Sequence, residues 1–281
     1  DEFTLNDNDL CHYVGIIVDD EIEHPVNVQL IRQILIELLL GQLQHKHVLE
    51  LAHLHHICMP WFSHDKVSLM PLFRMYLGGM GSTGKSQVLS SMMYFLIACQ
   101  KEHRFAILGP TSGSAALING ATYHSMLGFG HQSTIGNSTS ISALAKVRGQ
   151  ISRVETIFVD EISMVSCCDL YQISSQLTKA FCIPSEAFGG KSIIFAGDFA
   201  QLSPVGRGQS TLYSDRSSSQ TMHEQQTPIG QTIWHLFTDI VILKRNMRQT
   251  GTSPLDQAFC IVLANMRYKS CSLADCHLLQ S

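Results

Sequence analysis

An α/β fold with a mainly parallel sheet and flanking helices is predicted by three features of the sequence. From residue 73 onward, short β-branched or aromatic runs alternate with helical patterns, as in successive βα units. The octapeptide Gly79-Met80-Gly81-Ser82-Thr83-Gly84-Lys85-Ser86 follows one such run and opens one such helix, which is the context a glycine-rich phosphate loop needs. Finally, the apolar run Ile157-Phe158-Val159 ends in the carboxylates of Asp160 and Glu161, the first of them 75 residues after the lysine.

Taken in order, residues 1 to about 66 read as a helical or irregular adapter, with an acidic opening, an apolar helical pattern over 28–43 and the histidine-dense HKHVLELAHLHH at 45–56. His53 and His56 share a helix face at i, i+3, where imidazoles can ligate zinc or copper, but no cysteine or carboxylate at ligand spacing accompanies them. Exposed helix histidines are the simpler reading. A strand over 74–77 leads into the glycine loop, and a helix over 85–101 leaves it. The β-rich runs at 104–108, 155–160, 192–196 and 240–243 supply further strands. Helical patterns at 140–148, 169–181, 229–237 and 255–266 lie between and after them. Residues 217–226, polar and short of apolar side chains, are expected to form a mobile loop. The expected domain division is 1–66, then 67–237 as the nucleotide-binding unit, then 238–281 as the start of a second domain.

Composition narrows the functional classes. The chain has 281 residues, 45% hydrophobic and only 15% charged, which argues against global disorder. A formal charge of −4 provides no global positive field, so any nucleic-acid site must be a local groove. Nine cysteines, an odd number without a CxxC pair, fit reduced thiols in the cytosol or nucleus better than a disulfide framework. Cys271, Cys276 and His277 lie close in sequence, yet without a second matching pair the cysteines read as free thiols on a helix rather than a zinc site. The apolar stretches at 34–40 and 88–99 fall short of the ~20 residues of a bilayer span, so no membrane partner is expected. The opening Asp1-Glu2-Phe3 lacks the features of a secretory signal.

The chemistry concentrates in four segments. In the glycine loop, residues 79–86, backbone N–H groups can turn inward around phosphate oxygens while the helix that follows aims its positive end at them. Lys85 would reach the β- and γ-phosphates, and the Ser86 hydroxyl would ligate Mg2+. A carboxylate ending a strand beside the loop can hold the magnesium shell, and its neighbour can orient and deprotonate water; Asp160 takes the first role and Glu161 the second. Gln201, just beyond the strand of the AGDFAQLSPV run, can sense a γ-phosphate or serve as a turn amide. Arg248, in LKRNMRQ, is open to two readings, a cation reaching the transition-state phosphate or a surface ion pair.

In their order along the chain, GGMGSTGKSQ, GPTSGSAALINGATYHS, FVDEISM, AGDFAQLSPV and LKRNMRQ resemble the Pif-type ATP-dependent DNA helicases, in particular those carried by Helitron transposons. The resemblance spans about residues 72–270. It implies a RecA-like P-loop NTPase domain, followed by an incomplete second one, with ATP between the two domains of the family and single-stranded DNA running across both in 5′ to 3′ translocation. By the same resemblance, Gly84, Lys85 and Ser86 belong to the phosphate loop, Asp160 and Glu161 are the magnesium and base positions, Gln201 is the γ-phosphate sensor and Arg248 the arginine finger. Pro110, Thr111, Gly113, Thr122 and His124 match the part of the family that touches DNA, with a core or capping role as the alternative for His124. A nuclear location follows only from the family. Three departures stand out. Leu49-Glu50-Leu51-Ala52-His53 occupies the place of a Leu-Asn-x-x-Gln segment whose glutamine reads adenine, Ser82 replaces a common glycine, and Ser203 replaces a proline. The later family motifs are missing from the sequence.

Two functions of different class fit these residues: the Mg-ATP-hydrolysing, DNA-binding motor domain of a helicase, or a non-enzymatic helicase remnant that at most binds nucleotide. A small-molecule kinase with the same loop would leave the segments 197–205 and 243–249 needing separate explanations.

Overall fold

A computed structural model describes residues 72–81, 83–98, 101–129, 141–205, 211–213, 222–243 and 253–280. Six strands pair in parallel in one sheet, β1 (Arg74–Gly79), β2 (Phe105–Gly109), β3 (Ala121–Thr122), β4 (Thr156–Val159), β5 (Ser192–Gly197) and β6 (Asp239–Leu243), in the spatial order β3-β2-β4-β5-β1-β6. Five of these are the strands expected from sequence. The sixth, β3, has two residues, too few to show any periodicity.

The strand order revises two expectations. The carboxylate-bearing β4 is not the neighbour of the loop strand β1, because β5 lies between them and pairs with both. And β6, assigned from sequence to the span 238–281, registers with β1 from Met75 opposite Asp239 to Gly79 opposite Leu243. A boundary at 238 would cut this strand from its own sheet.

Every residue of β1, β4 and β5 is buried, as expected when helices cover both faces of a parallel sheet. Alternation sorts the two faces. Tyr76, Ala106, Leu108, Ile157, Val159, Ile193 and Phe195 share one core cluster, whereas Met75, Leu77, Phe105, Phe158 and Ile194 are buried outside it. On that second face α1 (Lys85–Ala98), with Val88, Leu89 and Leu96 buried, packs against β1.

The remaining helices are α2 (Ser112–Leu117), α3 (Tyr123–Met126), α4 (Ile141–Ile151), α5 (Cys167–Phe181), α6 (Met222–Trp234), α7 (Pro254–Arg267) and α8 (Leu273–Gln280). The helix expected to start at Asp169 begins two residues earlier, because Ser166 is its N-cap and Asp169 closes a capping box with it. Likewise α6 begins at Met222, so 222–226 of the expected mobile loop is helical. The short α2 and α3, each one or two turns, carry no readable amphipathic period, while α8 carries Cys276, one of the two thiols read from sequence as lying on a helix.

Helices α5 and α6 pack so closely that a Cβ at Gly230 would overlap the Cys167 carbonyl carbon and oxygen. The obstacle is backbone, which cannot rotate away. Gly230→Ala is therefore expected to destabilise the fold by roughly 1–3 kcal/mol, the range for overpacking, as a lowered urea midpoint with unchanged slope.

Candidate functional site

In a parallel sheet every strand delivers its following loop to the same edge. That edge here receives the glycine loop from β1, Pro110 and Thr111 from β2, Tyr123 and His124 from β3, Asp160 and Glu161 from β4, and Asp198 to Gln201 from β5. Segments separated by more than a hundred residues meet there.

The glycine loop is tied to itself and to β6. Thr83 is fully buried and its hydroxyl donates to the Met80 carbonyl at 2.8 Å. Gly84, with φ +90°, turns the chain into α1 in a conformation that L side chains rarely adopt. Lys85 Nζ donates to the carbonyls of Gly79 at 2.9 Å and Met80 at 3.1 Å, so the ammonium is held over the loop. Burial lowers the Lys85 pKa from its ordinary value, against the opposing attraction of Asp198, Glu161 and Asp160. Ser86, the second residue of α1, is exposed; Ser82 lies outside the described residues.

Asp160, only 7% exposed, is held by its backbone N–H on the Leu108 carbonyl at 3.0 Å, and its Oδ1 accepts the Glu161 N–H at 2.9 Å. Burial pushes its carboxyl above the usual range, and the Glu161 hydrogen bond and Lys85 oppose that rise. Glu161 sits in the left-handed region, φ 51° and ψ 46°, a conformation that costs a non-glycine residue roughly 1–3 kcal/mol and is characteristic of functional sites. Its pKa is likewise raised, first by burial and then by the charge of Asp160.

The β5 loop adds groups that sequence reasoning passed over. Asp198 follows β5 with its side chain 2% exposed; Oδ2 accepts the Gly81 backbone N–H at 3.2 Å and Arg267 Nη1 at 2.6 Å, and Oδ1 accepts the Ala200 N–H at 3.1 Å. Burial would raise this carboxyl, but the hydrogen bonds of Arg267 and Ala200 and the charges of Arg267 and Lys85 hold it below the usual range. Phe199 packs on Tyr76 and Trp234 with ring centres 5.4 and 5.5 Å away, fixing the loop to the core. Tyr76 donates its hydroxyl to the Gly197 carbonyl at 3.2 Å, and burial pushes its pKa up to about 12. Asp198 was legible in AGDFAQLSPV beside Gln201; nothing in the sequence pointed to Arg267.

Gln201 lies against the glycine loop, since a Cβ built on Gly81 would come within 2.9 Å of Gln201 Nε2. The obstacle is the far end of a flexible side chain, so Gly81→Ala is expected to leave stability nearly unchanged while pushing the amide aside. A melting temperature of Gly81→Ala close to that of the unsubstituted chain would show that the amide gives way.

The segment matched to DNA contact by resemblance is also at this edge. Thr111 caps α2, its hydroxyl accepting the Ser114 N–H at 3.1 Å, and Thr122 caps α3 by accepting the Ser125 N–H at 3.2 Å. Both therefore have structural work regardless of DNA. Pro110 is half-buried, while Thr111, Gly113 and His124 are exposed. His124 stacks on Tyr123 with ring centres 4.0 Å apart. It is thus not a core histidine, but an exposed ring lying on the buried ring of Tyr123.

Arg248, His53, His56 and the segment 49–53 lie outside the described residues. Among the described residues no group of three His, Cys, Asp or Glu side chains gathers to hold a metal, and no helix is long and apolar enough to cross a membrane. Cys271 and Cys276 are free and exposed.

The sheet and its loops define an α/β domain of RecA-like form, with a glycine-rich loop of the phosphate-loop pattern after β1. The chain belongs to the PIF1-like helicase family, whose profile matches residues 68–266. Among curated relatives it is 31% identical over 138 residues to the ATP-dependent DNA helicase RRM3 of Saccharomyces cerevisiae, covering 47% of this chain and 18% of that one. It is 29% identical over 134 residues to the human ATP-dependent DNA helicase PIF1, covering 47% and 20%. Its fold resembles that of Bacteroides Pif1 bound to ssDNA, with a TM-score of 0.52 at 22% identity over 74% of this chain and 45% of that one. It also resembles Pif1 helicase from Candida albicans, with a TM-score of 0.51 at 25% identity over 69% and 40%. The chain thus spans a fifth or less of these two curated relatives and under half of the two solved chains.

Proposed function

We propose that this chain is the ATP-hydrolysing motor domain of a DNA helicase, binding Mg-ATP at the carboxyl edge of the sheet and single-stranded DNA beside it, in the service of 5′ to 3′ unwinding. The observation that carries this reading is the meeting of four groups from three strands. Lys85 follows β1, the adjacent carboxylates of Asp160 and Glu161 follow β4, and Gln201 follows β5 against Gly81. Family membership supplies the nucleic-acid side of the reading.

Each group has a part in hydrolysis. Lys85, released from two loop carbonyls, would pair with phosphate oxygens. Glu161, with its raised pKa, is a stronger base than an exposed glutamate and would take the proton of the attacking water. Gln201 would report the γ-phosphate, and Arg248, if it reaches this edge, would stabilise the charge that develops there. Ser86 and Asp160 offer hydroxyl and carboxylate oxygens, the hard donor set that suits Mg2+. Held by these two residues, the ion would supply positive charge against the negative charge of the phosphates. Pro110, Thr111, Gly113, Thr122 and His124 form the proposed DNA contact, with exposed His124, backed by the buried ring of Tyr123, as the aromatic group on which a base can stack.

The test is the ATP hydrolysis rate of this chain with magnesium, with and without single-stranded DNA. Turnover that rises on adding DNA is the expected result. Nucleotide binding by a folded chain that never turns over would favour the non-enzymatic reading instead.

A further inference from the structure

We propose that Arg267 is a positioning residue for ATP turnover, acting through Asp198 on the rim of the phosphate loop at Gly81; this rests on the proposed function. Arg267 is the last residue of α7, and its Nη1 meets Asp198 Oδ2 at 2.6 Å. The same oxygen receives the Gly81 N–H at 3.2 Å. One carboxylate oxygen therefore joins the end of α7 to the third residue of the glycine loop.

The consequence follows from what borders Gly81. Its Cα faces the Gln201 amide closely enough that a methyl group would collide with it. Asp198 also orders the backbone that carries Gln201, because the Gln201 N–H donates to the Asp198 carbonyl at 2.9 Å and the Ala200 N–H to Oδ1 at 3.1 Å. Asp198 thus holds both sides of the Gly81–Gln201 contact. It is nearly inaccessible to water, so it needs a cation to remain an oriented carboxylate, and Arg267 supplies one. Without Arg267 the carboxylate would turn or take up a proton, loosening Gly81 and Gln201 together. Lys85, Asp160 and Glu161 are held by hydrogen bonds of their own, so nucleotide can still bind while the γ-phosphate end loses its alignment.

The arrangement also reaches beyond the loop. Helix α7 comes after β6 and after the segment bearing Arg248, so a movement of α7 that breaks the Arg267 pair would be felt at the γ-phosphate.

The experiment compares steady-state ATP hydrolysis by the unsubstituted chain with R267A, R267K, D198N and the double variant D198N/R267A. Circular dichroism and thermal melting confirm that each is folded at the assay temperature. The expected result for R267A is a kcat lower by about 10- to 100-fold, the cost of misaligning a reacting group, with KM for ATP nearly unchanged. A purely structural role would instead lower the melting temperature and leave kcat of the folded protein alone. R267K should recover part of the loss by restoring the charge without the planar fork. The double variant should be no slower than the slower single variant, since both changes break one relay.

An R267A variant with unchanged kcat, or losses that multiply in D198N/R267A, would overturn this inference alone. No turnover by the unsubstituted chain would overturn it together with the proposed function. Because the Arg267 side chain is 25% exposed where that of Asp198 is 2%, R267A tests the relay even if D198N fails to fold.

Discussion

Lys85→Ala is expected to abolish ATP hydrolysis, with a loss of at least about 10²–10³-fold, the scale on which a single charge-stabilising donor acts in a transition state. The magnitude follows from position. Lys85 is the first residue of α1, and its ammonium lies over the carbonyls of Gly79 and Met80, inside the field of Asp198, Glu161 and Asp160. A triphosphate entering the loop brings negative charge into a place already bordered by three carboxylates. Removing the cation that opens α1 leaves only Arg267, already paired with Asp198, against that repulsion, so affinity should fall together with turnover. The variant should nevertheless fold. The desolvation penalty that lowers the Lys85 pKa disappears with the side chain and offsets the two lost hydrogen bonds. A melting temperature close to that of the unsubstituted chain, beside absent turnover and weakened binding of labelled ATP, would establish the role. Full turnover in Lys85→Ala would remove the phosphate loop from the mechanism.

Glu161→Gln should separate binding from chemistry. The amide cannot accept the proton of water, so turnover is expected to fall by about 10²–10⁴-fold, the contribution of a positioned general base. Lys85 and the loop remain intact, so ATP binding should persist. Equal loss of binding in both variants would mean that the two residues do not divide the work as proposed. The raised pKa of Glu161 adds two pH predictions. Because the base works only when ionised, the acid limb of kcat/KM, which reports the free protein, should lie above the ordinary glutamate range. For stability, a carboxyl whose folded pKa exceeds its unfolded value favours the fold below the unfolded pKa. That contribution is lost as pH rises through the folded pKa. At neutral pH the ionised Glu161 is therefore a burden on the fold. Glu161→Gln should melt at a higher temperature than the unsubstituted chain at pH 7, with the gap closing as the pH falls below the ordinary glutamate range.

The left-handed backbone of Glu161 fits the same picture. The residue stands between the end of β4 and the short 3-10 turn Ile162–Met164, where Gly197 of β5 approaches so closely that a Cβ on it would lie 2.9 Å from the Ile162 nitrogen. The packing of β5 against this turn holds Glu161 in a conformation it would not choose alone. Strain at the proposed base is thus maintained by the core.

The parallel α/β class, five of the six described strands and the segments that bear the proposed site groups were all legible in the sequence. These are local properties. An apolar run of strand length, glycines at fixed spacing before Lys85, and a carboxylate pair after Val159 are each written in a few consecutive residues, and chain chemistry places them at the carboxyl ends of strands. Tertiary structure decided what depends on contacts between distant segments. The insertion of β5 between β1 and β4 follows from which strand edges pair, and the placing of β6 in the same sheet follows from its register with β1. No periodicity records either. The roles of Thr111 and Thr122 as helix caps became visible only once the short α2 and α3 were seen. Asp198 could be read beside Gln201, but not that it binds Gly81, 117 residues earlier, and Arg267, 69 residues later. A buried carboxylate must find its partners wherever the fold brings them, and a pair so far apart along the chain leaves no mark in local sequence.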